Sequence, residues 1–311
     1  MTNPPPAAPA RVTKEFVLTK CRYFTAMQLW PTQADLDPES WLTNFQPEEE
    51  EHAVHLLNSF LYFSAPLLDR VFATAIQTLS SRVTNRGDPL LSCQSDWRAF
   101  FDRLLLTYVT GEQPNPTDSG QYFARKARQL LSIPEERILD PPDVLHALLT
   151  TGPRPILFVD DFAGSGNQFV RTWQRSYPVG NMKISFADLS KQRGTSFFYC
   201  PAFSTVRAQA AITKLAPQVT LHPGHILPEV YNALAPDSIL WPPHLLPTAR
   251  DFVRQASLRA GLPDTNGHHV NDWQGFARLG LAIAFAHSVP DATLPIIYWA
   301  DNGWRPLIRR T

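Results

Sequence analysis

One run of fifteen residues, Pro155 to Phe169 (PILFVDDFAGSGNQF), limits what this chain can fold into more than any other stretch. Its apolar residues Ile156 to Val159 predict a strand buried on both faces, the environment of a parallel sheet. Two aspartates, Asp160 and Asp161, follow where such a strand would leave the sheet. Ala163, Gly164, Ser165, Gly166 and Asn167 are small enough for a tight turn with exposed backbone N–H groups, and Gln168 to Arg175 can continue as a helix. A strand, an anion-cradling loop and a helix N-terminus in that order describe a phosphate site.

Several phosphate motifs share this outline, and the residues present exclude three of them. A Walker loop needs lysine directly after its last glycine, where this chain has Asn167. A dinucleotide fingerprint wants a third glycine near Phe169 and no acid pair just ahead of the pyrophosphate. A nucleophile elbow places glycines two residues either side of its serine, whereas those of Ser165 are immediate neighbours. Two adjacent acids ahead of the loop fit a ligand that carries hydroxyls and a divalent cation as well as phosphate. Carboxylates accept from ribose hydroxyls and orient Mg²⁺-bound water, while loop N–H groups hold a terminal phosphate. A ribose phosphate satisfies both halves.

Composition narrows the classes further. The 311 residues include 28 basic and 28 acidic side chains, so net charge gives no sign of nucleic-acid or membrane affinity. Cys21, Cys93 and Cys200 are too few and too scattered for a disulfide framework or a cysteine-based zinc site, which suits a reducing cytoplasm. No apolar run reaches the roughly 18 residues of a membrane span, and the N-terminus lacks the basic and apolar segments of a secretory signal. The expectation is a cytoplasmic protein away from membranes.

In chain order, 1–12 is proline-rich and reads as a flexible arm, and 13–95 as a helical N-terminal extension. Pro47 opens a helix with Glu48 to Glu51 in its first turn, so those acids favour the helix dipole and not catalysis. A second helical pattern covers Pro66 to Val83 and a short one Trp97 to Arg103. Residues 96–311 read as an α/β domain whose strands, at Leu104–Val109, Ile138, 156–159, Ser196–Tyr199 and Val219–Leu221, alternate with helices around a mostly parallel sheet. From about 240 the chain becomes irregular, with a helix at Pro247–Ala260 and a strand-like Leu294–Trp299, and reads as a C-terminal cover.

The segment after the first strand repeats the phosphate-site layout. Thr110 to Gly120 is turn-rich and ends in Asp118, Ser119 and Gly120, ahead of the basic helical pattern Gln121 to Leu131 that carries Arg125 and Arg128. Asp118 or Ser119 could equally serve as a plain helix cap. Trp299 and Trp304 are open to core packing, lid packing or ligand stacking.

The acid-pair stretch resembles the phosphoribosyl pyrophosphate motif of type I phosphoribosyltransferases. DSGQYFARKAR, FVDDFAGSGNQF and the ending AFAHSVPDATLPIIYW with GWRPL, taken in order, resemble a phosphoribosyltransferase-like family of bacterial conflict and antiviral systems, whose members occur beside retron reverse transcriptases. The resemblance implies a type I phosphoribosyltransferase-like α/β fold and an effector that binds phosphoribosyl pyrophosphate, or a related nucleotide, with Mg²⁺. It implies that Asp160 and Asp161 hold the ribose hydroxyls and, through water or substrate, the metal. Ala163, Gly164, Ser165, Gly166, Asn167 and Gln168 would hold the 5′-phosphate, with Gln168 where a threonine is usual. Asp118, Ser119, Gly120, Arg125 and Arg128 would take the pyrophosphate, and His287 and Trp299 are candidates for the base. The implied chemistry is transfer to, or cleavage of, a bond at ribose C1. The second implied role is a catalytically inactive nucleotide-binding sensor or scaffold for a reverse transcriptase and its RNA or DNA, and a homo-oligomer fits either.

Overall fold

A computed structural model describes residues 12–85, 87–111, 119–191 and 194–310. The chain divides into two compact units: Ala65–Glu229 makes one, and the segments up to Ser64 and from Val230 make the other. The division therefore falls at Ser64 and again at Glu229, not near residue 95. The proline-rich arm lies outside the described residues.

In the first unit the chain forms α1 (Lys14–Ala26), α2 (Pro38–Leu42), α3 (Glu50–Ser59) and β1 (Leu61–Phe63). The second runs α4 (Ala65–Thr78), α5 (Ser80–Val83), α6 (Leu90–Arg103), β2 (Leu105–Tyr108), α7 (Ser119–Leu131) and α8 (Pro141–Thr151). It continues with β3 (Pro155–Ala163), α9 (Asn167–Gln174), the hairpin β4 (Tyr177–Val179) and β5 (Met182–Ile184), and α10 (Phe186–Leu189). Then come β6 (Ser196–Thr205), α11 (Val206–Leu215), β7 (Val219–Leu221) and β8 (His225–Leu227), before the chain returns to the first unit with α12 (Leu246–Ala260) and β9 (Ile283–Phe285).

β3 is central in a parallel sheet of order β2-β3-β6-β7, and β8 continues the edge beyond β7 by pairing with Phe203–Thr205 of β6. The register sets Leu105 beside Ile156, Ile156 beside Phe197 and Phe197 beside Val219. Ile156 to Val159 are fully buried, as an unbroken apolar run between two helical layers must be. The strand expected at Ile138 is reduced to one parallel bridge to Leu106. Tyr177–Ile184, which carries no strong strand pattern, forms the small hairpin.

Phe158, Phe169, Trp173, Phe186, Phe197 and Tyr199 form an aromatic core on one face of the sheet, beneath α8 to α11. Each such side chain stabilises by roughly 1.5–3 kcal/mol on burial, before ordering entropy is counted. On the other face α4 and α7 pack through Phe72 and Phe123, rings 4.8 Å apart, with a half-buried Lys126–Asp69 ion pair beside them. The helical pattern 66–83 is thus mostly α4, part of the sheet unit and not of an N-terminal extension.

In the first unit β1 pairs in parallel with β9, a pairing over 200 residues apart in sequence that local patterns do not announce. Pro47 opens a short 3₁₀ turn before α3, with Gln46 and Glu49 in a capping box, and Arg259 forks onto Glu49. Glu49 thus serves the helix start, as its position predicts. The strand-like Leu294–Trp299 is instead a 3₁₀ turn at Pro295–Ile297, because Pro295 fixes φ and has no N–H for a ladder. Among the described residues no helix is long and apolar enough to cross a membrane.

Candidate functional site

β3 delivers its two aspartates at the C-terminal edge of the sheet, the edge where parallel α/β sheets bind ligands. Strand alternation puts Asp160 on the face of Ile156 and Phe158, beneath α9. There it is 3% exposed, and the Tyr199 hydroxyl from β6 donates to its Oδ2 at 3.3 Å. Asp160 Oδ1 accepts the Asp161 N–H at 3.0 Å. Asp161 is 7% exposed. The Ser119 hydroxyl, at the start of α7, joins the two, 3.0 Å from Asp160 Oδ1 and 3.1 Å from Asp161 Oδ1.

Burial, and secondly the charge of Asp161, hold the Asp160 carboxyl well above the usual carboxylate range. Burial likewise pushes the Tyr199 phenol up, with the two acids adding to it. Asp160 is therefore a buried acid held between Tyr199, Asp161 and Ser119.

The loop after β3 turns at Gly166, whose φ of +81° is left-handed. A Cβ there would lie 3.1 Å from the Ala208 carbonyl oxygen of α11, so the position needs glycine for conformation and for space. Thr205 ends β6, caps α11 by accepting the Ala208 N–H at 3.0 Å, and donates to the Gly164 carbonyl at 2.5 Å. The loop is thereby held against the neighbouring strand end. Ala163 is buried as the last residue of β3, while Asn167 and Gln168 are exposed in the first turn of α9. Ser165 Oγ accepts the Asn167 N–H at 3.3 Å, and no side chain of the N-cap residue Gly166 closes the helix end. An eight-residue helix with its positive end at the loop suits an anion.

Of the residues expected around the pyrophosphate, Asp118 lies outside the described residues. Ser119 sits on the acid pair. Gly120 is buried where α7 presses on β2, and a Cβ there would be 2.3 Å from the Val109 carbonyl oxygen. Arg125 and Arg128 are exposed and lie six and nine residues further along α7, about 9 and 13 Å from Ser119 by helical rise. Arg128 pairs with Glu135 at 2.9 Å. The structure thus brings Ser119 to the acids, packs Gly120 against the end of β2 and leaves both arginines down the helix.

Sequence reading missed the network that holds the start of the second loop. Thr110 N–H donates to Thr172 Oγ1 of α9 at 3.1 Å, and Arg175 donates to Thr110 Oγ1 at 2.6 Å and to the Gly111 carbonyl at 2.7 Å. It also missed Tyr199 and Thr205. Alternation from Ile156 through Asp160 could have signalled that Asp160 needs a polar partner on the aromatic face; nothing local marks Thr172 as buried.

His287 and Trp299 belong to the first unit. His287 stacks on Phe285 at 5.9 Å, and the Trp299 indole N–H donates to the Ala260 carbonyl at 2.9 Å, against the end of α12. Among the described residues no group of three or more His, Cys, Asp or Glu side chains gathers in a form that could hold a metal.

The PRTase-CE family model matches residues 38–310. Comparison with curated proteins found no match. Among solved structures the chain is similar to the orotate phosphoribosyltransferase from Aeropyrum pernix, at 14% identity and a TM-score of 0.23, over 51% of this chain and 93% of that one. With the match running from Pro38 to Arg310, this phosphoribosyltransferase-like chain belongs to the PRTase-CE family.

Proposed function

We propose that the chain binds phosphoribosyl pyrophosphate with Mg²⁺, or a nucleotide with the same ribose-phosphate half, and acts at ribose C1 as the effector of a retron-type anti-phage defence system. The observation that carries the ligand class is the acid pair at the C-terminal edge of β3, followed after two residues by a glycine loop that leads into the N-terminus of α9. Hydroxyl acceptors and, a few residues on, backbone donors for phosphate are the two halves that a sugar phosphate needs. Family membership supports the reaction class, and the defence setting rests on the sequence resemblance.

Asp160 and Asp161 would accept from the ribose hydroxyls, and 163–168 would take the 5′-phosphate. Ser119 and Gly120 would meet the pyrophosphate. In transfer, the C1–O bond breaks with its electron pair leaving on pyrophosphate, and the acceptor forms the new bond at C1 and loses its proton. The donor set fits a cation carried mainly by the ligand: a hard divalent ion wants about six oxygens, and the buried pair Asp160 and Asp161 supplies few of them. Bound so, Mg²⁺ would stabilise charge on the departing pyrophosphate. Asp161→Asn should lose phosphoribosyl pyrophosphate binding in calorimetry and pyrophosphate release in solution; wild-type behaviour in both assays would refute the assigned site.

The burial of Asp160, with both oxygens already accepting, favours a second reading in which the site binds a nucleotide without turning it over. The chain would then be a sensor or scaffold that partners a reverse transcriptase and its nucleic acid. Binding without pyrophosphate release, together with stable co-purification of a reverse transcriptase, is the outcome that selects it.

A further inference from the structure

We infer that the Ser119 hydroxyl is a built-in substitute for a ligand hydroxyl: it occupies the place between Asp160 and Asp161 that the vicinal diol of a ribosyl ligand takes, and such a ligand binds by displacing it. This rests on the ribose-phosphate reading of the site.

Three observations carry it. The Oγ atom is within hydrogen-bond distance of one oxygen of each acid, 3.0 and 3.1 Å, the bridging contact that a diol makes to paired carboxylates. The second is its proton count. One hydroxyl has one proton, so it cannot donate fully to both acids at once. A diol brings two donors, one for each acid, which gives it an advantage that a serine, or a sugar with one hydroxyl there, does not have. The third is position. Ser119 opens α7, where a serine hydroxyl would ordinarily cap backbone N–H groups, yet it faces the acids.

Displacement needs no movement of the helix. Gly120 is packed so closely on the Val109 carbonyl that the first turn of α7 is fixed in place. A change of χ1 at Ser119 is enough to swing Oγ off the acids to another staggered position. The released hydroxyl then becomes available to the pyrophosphate that this end of α7 is proposed to meet. Ribose binding therefore prepares the pyrophosphate half of the site, and Ser119 is the positioning residue that links the two.

The experiment is calorimetry on the full chain with ribose 5-phosphate, 2-deoxyribose 5-phosphate and inorganic pyrophosphate. Ser119→Ala removes the competitor and should bind ribose 5-phosphate about five-fold more tightly, the fold-change that one net hydrogen bond is worth. Ser119→Thr keeps the hydroxyl and should bind ribose 5-phosphate less tightly than Ser119→Ala, and thermal unfolding of each variant without ligand reads any loss of stability. Wild type should bind pyrophosphate more tightly when ribose 5-phosphate is present but not when the 2-deoxy sugar is, and Ser119→Ala should lose this coupling. Unchanged or weaker ribose 5-phosphate binding by a folded Ser119→Ala overturns the substitution idea while leaving the ribose-phosphate site standing. No binding of ribose 5-phosphate or phosphoribosyl pyrophosphate by any of the three proteins overturns both.

Discussion

Gly166 and Ala208 meet backbone to backbone: a Cβ on Gly166 would lie 3.1 Å from the Ala208 carbonyl oxygen and 3.2 Å from its Cα. Two adjacent parallel strands each lead into a helix here, and the two helices start close together because one residue has no side chain. Gly166→Ala carries a left-handed φ of +81° and a contact with backbone that cannot rotate away. Gly180, with φ +58° and nothing within 4 Å of its Cβ position, isolates the first effect. Gly180→Ala should cost about 1 kcal/mol from backbone strain alone. Gly166→Ala should cost roughly 1–3 kcal/mol more from overpacking. Urea unfolding midpoints of the two variants measure the difference, and equal losses would show that α11 yields to the extra methyl.

Asp160 predicts a pH dependence of stability with a definite sign. Its carboxyl, buried beside Asp161 and Tyr199, keeps its proton well above the point where an aspartate in the unfolded chain loses it, near pH 4. Between those two points the folded chain binds more protons than the unfolded one. The neutral acid's contribution is therefore complete at acid pH and declines as pH rises through that window. Asp160→Asn cannot ionise, and its amide still accepts from the Asp161 N–H while facing Tyr199. Thermal unfolding of both proteins from about pH 4 to pH 8 should show the variant gaining on wild type as pH increases. A difference that stays constant with pH would mean that Asp160 ionises as readily folded as unfolded.

The parallel sheet and the acid-loop-helix site were legible because each depends on local pattern. Ile156 to Val159 could only be a strand covered on both faces, and Gly164-Ser165-Gly166 could only be a tight turn ahead of a helix. What was not legible depends on partners distant in sequence. Leu61–Phe63 carries too few residues for a period, and becomes a strand because Ile283–Phe285 lies beside it. Pro66–Val83 is mostly helix, as its spacing predicts, but nothing in its own stripe says that α4 belongs with the sheet and not with an N-terminal extension. Ser119 shows the limit most clearly: as a residue at a helix start it reads as a cap or a pyrophosphate contact, and only the fold brings the acids, some forty residues later, within reach of its hydroxyl.

Thr172 is fully buried, and its hydroxyl accepts the Thr110 N–H at 3.1 Å while donating to the Gln168 carbonyl at 2.9 Å and lying 3.2 Å from the Thr110 carbonyl. Thr172→Val keeps the shape and removes the acceptor, leaving a buried N–H without its partner at a cost of about 1–3 kcal/mol. Arg175→Lys removes the fork that holds Thr110 Oγ1 and the Gly111 carbonyl together, and an ammonium cannot reproduce that geometry. Hydrogen exchange separates the two. Protection of the Thr110 amide should fall in Thr172→Val, that of Leu106 in mid-strand should not, and Arg175→Lys should leave both closer to wild type while lowering stability.

In the first unit Trp41 and Trp304 direct their indole N–H groups at one acceptor, the Ile296 carbonyl, at 2.8 and 2.9 Å. Both rings are buried, and Phe45 packs edge-on against each, at 4.7 and 5.4 Å. Either indole alone still satisfies that carbonyl. Trp41→Phe and Trp304→Phe should therefore each cost the lost ring volume and one shared hydrogen bond, about 1–2 kcal/mol apiece. The double variant takes both donors from a buried carbonyl, so its loss should exceed the sum of the single losses by about 1 kcal/mol, as groups sharing a partner do. A double-mutant cycle in urea measures that excess. Strict additivity would show that water reaches the Ile296 carbonyl once the rings shrink, and that this core is looser than its aromatic packing implies.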